Sequence, residues 1–114
     1  MGIVSEKQHV HNLVNCALYN DLKIIAVMKG TYITVILDEA LSEFIDNYEN
    51  DKIESFELKP KYSQKKQKAM NFYVKEDLYE KIKKIAHLEK IKIKKVMEKS
   101  IADYIIKEKK QIEF

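Results

Sequence analysis

Four lysines stand within the six residues KIKIKK: Lys90, Lys92, Lys94 and Lys95. Ammonium groups at that density can hold phosphates, and phosphate contacts supply nucleic-acid affinity that does not depend on base sequence. The same run also fits a solvated charged face. Two triplets of alternating residues are the other candidates, His9, His11 and Leu13 early in the chain and Ala69, Asn71 and Tyr73 later. Residues two apart share one face of a strand, so each triplet would point one way. His9 and His11, with Cys16 nearby, allow a metal site to be drawn, but no fourth ligand is evident and no metal is expected. Catalysis has less to build on. Cys16 has no positioned base, His87 falls on an outward helical position, and neither paired carboxylates nor a phosphate loop occurs. The chain is expected to be neither an enzyme nor a cofactor carrier.

The elements that must position these residues show in the apolar spacing of residues 69–106. Met70, Phe72 and Val74 alternate, as on a strand with one buried face. From Leu78 the spacing is helical, with Leu78, Ile82, Ile85 and Ala86 on one stripe, and it restarts in a new phase at Ile93, Val96, Met97, Ile101, Tyr104 and Ile105. The pattern predicts strand, helix, tight turn, helix. A single strand leaves a row of backbone donors and acceptors unpaired, so this unit needs a second copy. The chain carries one. A shift of 60 residues lays Val14 on Val74, Leu18 on Leu78, Tyr19 on Tyr79, Lys23 on Lys83, Ile25 on Ile85, Ala26 on Ala86, Ile33 on Ile93 and Ile45 on Ile105, all identical and without a gap.

Strand, helix, turn and helix, with K-G-x-x-x-x-x-I-L-x-E-A-L at Lys29, Gly30, Ile36, Leu37, Glu39, Ala40 and Leu41, resembles the ribbon-helix-helix DNA-binding family of Arc, the Met repressor and CopG. The resemblance covers about residues 10–48 and 69–106. It implies a mainly α fold with a short two-stranded antiparallel β-ribbon, here as two tandem repeats forming an intramolecular pseudodimer, the rival being a homodimer in which each repeat pairs with its counterpart in another chain to give two ribbons. It further implies sequence-specific binding of double-stranded DNA, as a transcriptional repressor or plasmid accessory factor, with the ribbon in the major groove. By that analogy the base-reading positions are Asn71, Tyr73 and Ala69 on the second strand and His9, His11 and Leu13 on the first. Asparagine can pair bidentately with adenine, and tyrosine can donate, accept or pack on a thymine methyl. Phosphates would be held at the start of the second helix of each repeat, by Lys90, Lys92, Lys94 and Lys95 in one and Thr31, Tyr32 and Thr34 in the other. Lys65, Lys66 and Lys68 would add to the field. The two triplets differ, so a non-palindromic site, or two copies on repeated half-sites, is expected, and the absence of arginine points to an AT-leaning sequence.

The boundaries read as a first repeat at 1–48, a linker at 49–68, a second repeat at 69–106 and a charged, fraying tail at 107–114. The first strand, 9–14, has a rival helical reading through Val10, Leu13, Val14, Ala17 and Leu18. Asn15, well placed to cap the helix that follows, favours the strand. Gly30 suits a left-handed turn, and Lys90 stands at the same place in the second repeat. Ile53, Phe56 and Leu58 are expected to pack part of the linker down. Extended, the linker spans roughly 65 Å, enough to bring the second strand back to the first.

Charge divides unevenly. Residues 1–50 hold 3 lysines and 7 acids, net −4, and residues 51–114 hold 18 lysines and 11 acids, net +7. An acidic first repeat binding a protein partner, as in an antitoxin or segregation adaptor, is the alternative function, and a homo-oligomer on DNA is compatible with either. No run of 18 apolar residues, no signal-peptide core and a single cysteine lead to the expectation of a cytoplasmic protein without membrane contact.

Overall fold

A computed structural model of the chain describes residues 7–62 and 66–112. Strand β1 (Lys7–Asn15) leads into helices α1 (Cys16–Lys29) and α2 (Ile33–Glu49); a short 3-10 turn at Pro60–Tyr62 precedes strand β2 (Gln67–Lys75) and helices α3 (Glu76–Glu89) and α4 (Ile93–Ile112). The protein is mainly helical, with one antiparallel sheet of two strands. Every element of the second half begins 60 residues after its counterpart in the first. The period seen in the sequence is therefore a period of the structure.

The strands pair with His11 opposite Asn71 at the centre of the ladder. Those two residues are themselves repeat equivalents, so the ladder is two-fold about them: His9 faces Tyr73 and Leu13 faces Ala69. Val10, Val14, Met70 and Val74 are buried on one face, while His9, Ala69, Asn71 and Tyr73 are exposed on the other. The segment at 9–14 is a strand and not a helix, longer at both ends than its apolar spacing predicts, because the ladder rather than the side-chain pattern sets its length. For the same reason β2 begins at Gln67, inside the stretch read as linker.

Four helices lie beneath the ribbon. Leu18, Leu22 and Ile25 of α1 and Ile82 and Ile85 of α3 are buried, as are Ile36, Leu37, Leu41, Phe44 and Ile45 of α2 and their equivalents Val96, Met97, Ile101, Tyr104 and Ile105 of α4. A wide apolar stripe on each helix closes one common core. Ile53, Phe56 and Leu58 pack against it, with the Phe56 ring 5.9 Å from that of Phe44 and 6.5 Å from that of Tyr48. Tyr62, buried, donates to Asp21 at 2.7 Å. Helix α4 corrects the expected tail: it continues to Ile112, because Glu108 is buried against Lys29 and Lys109 pairs with Asp21 at 3.0 Å. Among the described residues, no helix is long and apolar enough to cross a membrane.

The caps obey local chemistry. Asn15 Oδ1 accepts the Ala17 N–H at 2.9 Å, whereas Lys75 offers no side-chain cap and leaves Glu76 and Asp77 to meet the helix dipole. Both first helices end in a left-handed residue, Gly30 at φ +64° and Lys90 at φ +58°, and the next N–H returns to Ala26 O or Ala86 O at 3.0 Å. Nothing lies within 4 Å of a Cβ placed on Gly30, so backbone strain alone decides substitution there. Lys90→Gly is expected to raise stability by about 1 kcal/mol and Gly30→Ala to lower it by a similar amount, read as opposite shifts of the urea midpoint.

Candidate nucleic-acid interface

The outer face of the ribbon offers hydrogen-bonding groups on a two-stranded platform. Asn71 is exposed at the centre of the ladder, and Tyr73, 52% exposed, lies with its ring 5.0 Å from that of its partner His9 at a 48° tilt. Ala69 is exposed beside them. The ladder brings the predicted triplets together in crossed order, His9 with Tyr73, His11 with Asn71, Leu13 with Ala69. The side chains of His11 and Leu13 lie outside the described part of the structure, as does the whole of Lys65.

Two carboxylates place the second helix of each repeat at opposite ends of this platform. Asp38 of α2 accepts the backbone N–H of Lys75 at 3.1 Å through Oδ1 and the Lys7 ammonium at 3.0 Å through Oδ2. Lys7 and Lys75 are paired across the ladder, so one carboxylate holds both strands at that end. At the other end Glu98 of α4, the repeat equivalent of Asp38, accepts the backbone N–H of Asn15 at 3.1 Å. A charged acceptor makes each of these bonds stronger than a neutral one. Each helix thus holds the strand of the other repeat, and its first turn flanks one end of the ribbon. Sequence spacing gave no notice of this pair; the signal was an acid at the same offset in two apolar helices.

At the start of α2, Tyr32 is 79% exposed with no side-chain cap, and Thr31 and Thr34 stand on either side of it. Val35 and Ile36 donate to Tyr32 O, and Lys95 and Val96 donate to Lys92 O in the same pattern at the start of α4. The preceding amides of each helix have no intrahelical acceptor, which makes both ends anion-seeking. Lys90 and Lys92 are exposed there, but Lys94 and Lys95 are half-buried, 4.0 Å from Glu98 and 3.8 Å from Glu57. The four lysines are therefore two open and two engaged. Lys66 and Lys68 are exposed at the same end of the ribbon. Lys68 Nζ lies 4.9 Å from the Tyr19 ring centre and Lys23 Nζ 5.3 Å from it, a basic cluster on one aromatic ring. Lys23 was legible only as one of the identities under the 60-residue shift. Its equivalent Lys83 pairs with Glu80 at 2.8 Å.

Cys16 is half-buried at the start of α1, and among the described residues no three His, Cys, Asp or Glu side chains gather as a metal would require. Polar groups that do gather lie between α1, α2 and α4. Lys29 donates to Tyr104 Oη at 3.0 Å, and Tyr104 donates to Glu39 at 2.8 Å. Burial, reinforced by Glu39 and opposed by Lys29, pushes the Tyr104 hydroxyl up to about 12. Lys29 is also held above its ordinary value, chiefly by its bond to Tyr104 and then by Glu108. No family model, curated protein or solved structure matches the chain.

Both shifts are upward, so the stability they carry is complete below about pH 10, where unfolded tyrosine and lysine keep their protons, and is lost as pH rises toward the folded values. The unfolding midpoint is expected to drop between pH 10 and pH 12. Tyr104→Phe, which reproduces the residue at the equivalent position 44, is expected to cost about 1 kcal/mol at neutral pH and to flatten that drop. Chemical denaturation at a series of pH values checks both.

Proposed function

We propose that this chain is a sequence-specific double-stranded DNA-binding protein, a transcriptional repressor or plasmid accessory factor, built as a tandem ribbon-helix-helix pseudodimer that reads the major groove with its ribbon. One observation carries the reading: a two-stranded platform whose exposed face carries Asn71, Tyr73 and His9, flanked at each end by a helix start tied to it through Asp38 or Glu98. The major groove of B-DNA, about 12 Å wide, admits such a ribbon. With the ribbon in the groove, the starts of α2 and α4 meet the phosphates on its two sides. Lys90, Lys92 and the Lys23 and Lys68 cluster supply the positive field, and Thr31, Tyr32 and Thr34 supply neutral donors at the other end. Electrostatic anchoring is thus uneven along the ribbon, and the site it prefers is polar and rich in A·T pairs. A second copy can occupy an adjoining site without change to the ribbon.

A protein partner on the first repeat is the second reading, and a specific surface favours it. Ile24, Val27 and Met28 of α1 are 49%, 79% and 50% exposed, whereas α3 has Lys84 and His87 at the first two of these positions.

Fluorescence anisotropy against a randomised duplex pool at two salt concentrations tests the DNA reading. Expected are enrichment of particular sequences, affinity that falls steeply with salt, and collapse of binding in Lys90→Glu/Lys92→Glu, the two open lysines. Asn71→Ala should lose about 1–3 kcal/mol of discrimination at one base pair while keeping non-specific affinity, and Lys23→Glu/Lys68→Glu should weaken all sequences alike. No binding at low salt would end the DNA reading and leave the apolar face of α1 as the place to seek a partner.

A further inference from the structure

The positions that meet between the two repeats can be compared through the two-fold axis of the ladder, and their chemistry is not symmetric. Lys29 of the first repeat meets Glu108 of the second at 3.4 Å; the equivalent pair in the other half, Glu89 and Tyr48, is joined by a hydrogen bond of 2.6 Å. Asp21 meets Lys109 at 3.0 Å, and the equivalent positions hold Lys81 and Glu49, the same two charges exchanged. Glu39 accepts from Tyr104, whose equivalent in the first repeat is Phe44, buried and unable to donate. Lys107 binds Glu43 across the same boundary.

Applying that rule to like repeats gives a different surface. Two first repeats would set Asp21 against Glu49 twice, and each Glu39 would face the Phe44 ring in place of a hydroxyl. Two second repeats would set Lys81 against Lys109 and Glu89 against Glu108, a residue only 5% exposed in the native pairing, and would keep one complementary contact, Asp103 with the exposed Lys107. Like charges at these positions repel, and an acidic group buried beside another carboxylate is the costlier case. The apolar core is of similar size in both halves and would not object. The charges would.

We propose that the surface between the repeats is selective: it accepts the complementary repeat and rejects a second copy of the same one. The two halves are in effect a fused heterodimer, and the ribbon always consists of one β1 and one β2. Introducing a mismatched contact is a recognised route to partner choice. A tether raises the effective concentration of the second repeat, and so favours pairing within the chain, but it does not itself discriminate between like and unlike halves. The proposal rests on the tandem reading of the fold and not on DNA binding, and its test reads masses alone.

The test is to insert a site-specific protease sequence at Ser63 of the full chain, cut the folded protein, unfold and refold the mixture in urea, and weigh the complexes by native mass spectrometry at micromolar concentration. Unlike pairs are expected to outnumber like pairs by about tenfold or more over the statistical ratio. Glu49→Lys/Lys109→Glu, which makes this one contact complementary in both like pairings and repulsive in the unlike one, is expected to raise the pair of first repeats several-fold and the pair of second repeats less, since Glu89 still meets Glu108 there. Glu89→Lys alone should raise only the pair of second repeats, and circular dichroism of the uncut variants verifies that they fold. A statistical mixture from the wild-type halves, halves that remain unpaired, or a distribution indifferent to both variants would each overturn the proposal.

Discussion

Among the described residues strands β1 and β2 pair only with each other, and that pairing is the constraint on which the molecule depends. Each carries nine residues of backbone donors and acceptors that the strand of the other repeat partners. Neither half can bury Val10 and Val14, or Met70 and Val74, on one continuous floor without the other. The two-fold ladder then dictates the positions of the helices, since α1 and α3 leave from equivalent ends of equivalent strands. Core closure and ladder formation are one event, set by a single register. A slip by one residue would turn the buried valines to the outer face and Asn71 and Tyr73 to the core.

Asp38 and Glu98 connect that ladder to the helices below. A carboxylate accepting a backbone N–H at the last residue of a strand stops the ribbon from fraying where its own hydrogen bonds end, and it does so with a residue of the opposite repeat. Position and stability share these contacts. The same bonds that finish the sheet put the starts of α2 and α4 beside its ends, which is where a ribbon lying in a groove would need anion-seeking groups. The proposed interface is thus an outcome of how the ribbon is terminated.

Symmetry of the backbone coexists with asymmetry of the side chains. His9 stands where Ala69 stands in the second repeat, Leu13 where Tyr73 stands, and Thr31, Tyr32 and Thr34 where Ile91, Lys92 and Lys94 stand. Lys23 lies over the Tyr19 ring while Lys83 is paired with Glu80. One architecture therefore presents two chemically different ends. In the second repeat the lysines nearest the helix start are divided between solvent and ion pairs, because Glu57 of the linker and Glu98 of the clamp reach Lys95 and Lys94.

Much of this was written in local patterns. Alternation at Met70 and Val74, helical spacing from Leu78, a capping Asn15, a glycine suited to the left-handed turn at residue 30 and the 60-residue period are short-range features, and each has one inexpensive backbone solution. Lys90 at φ +58° obeys the period and not its own preference, which shows that tertiary packing outweighs about 1 kcal/mol of local strain. What only the tertiary structure decided is everything that joins residues far apart in the chain: the His11 and Asn71 centre of the ladder, the crossed Asp38 and Glu98 clamps, the Lys23 and Lys68 cluster on Tyr19, and the continuation of α4 to Ile112. Such contacts depend on which helix faces the end of which strand. Hydrophobic spacing records that a face is buried but not what covers it, and so the sequence determined the repeated unit while the three-dimensional pairing of its two copies decided the site.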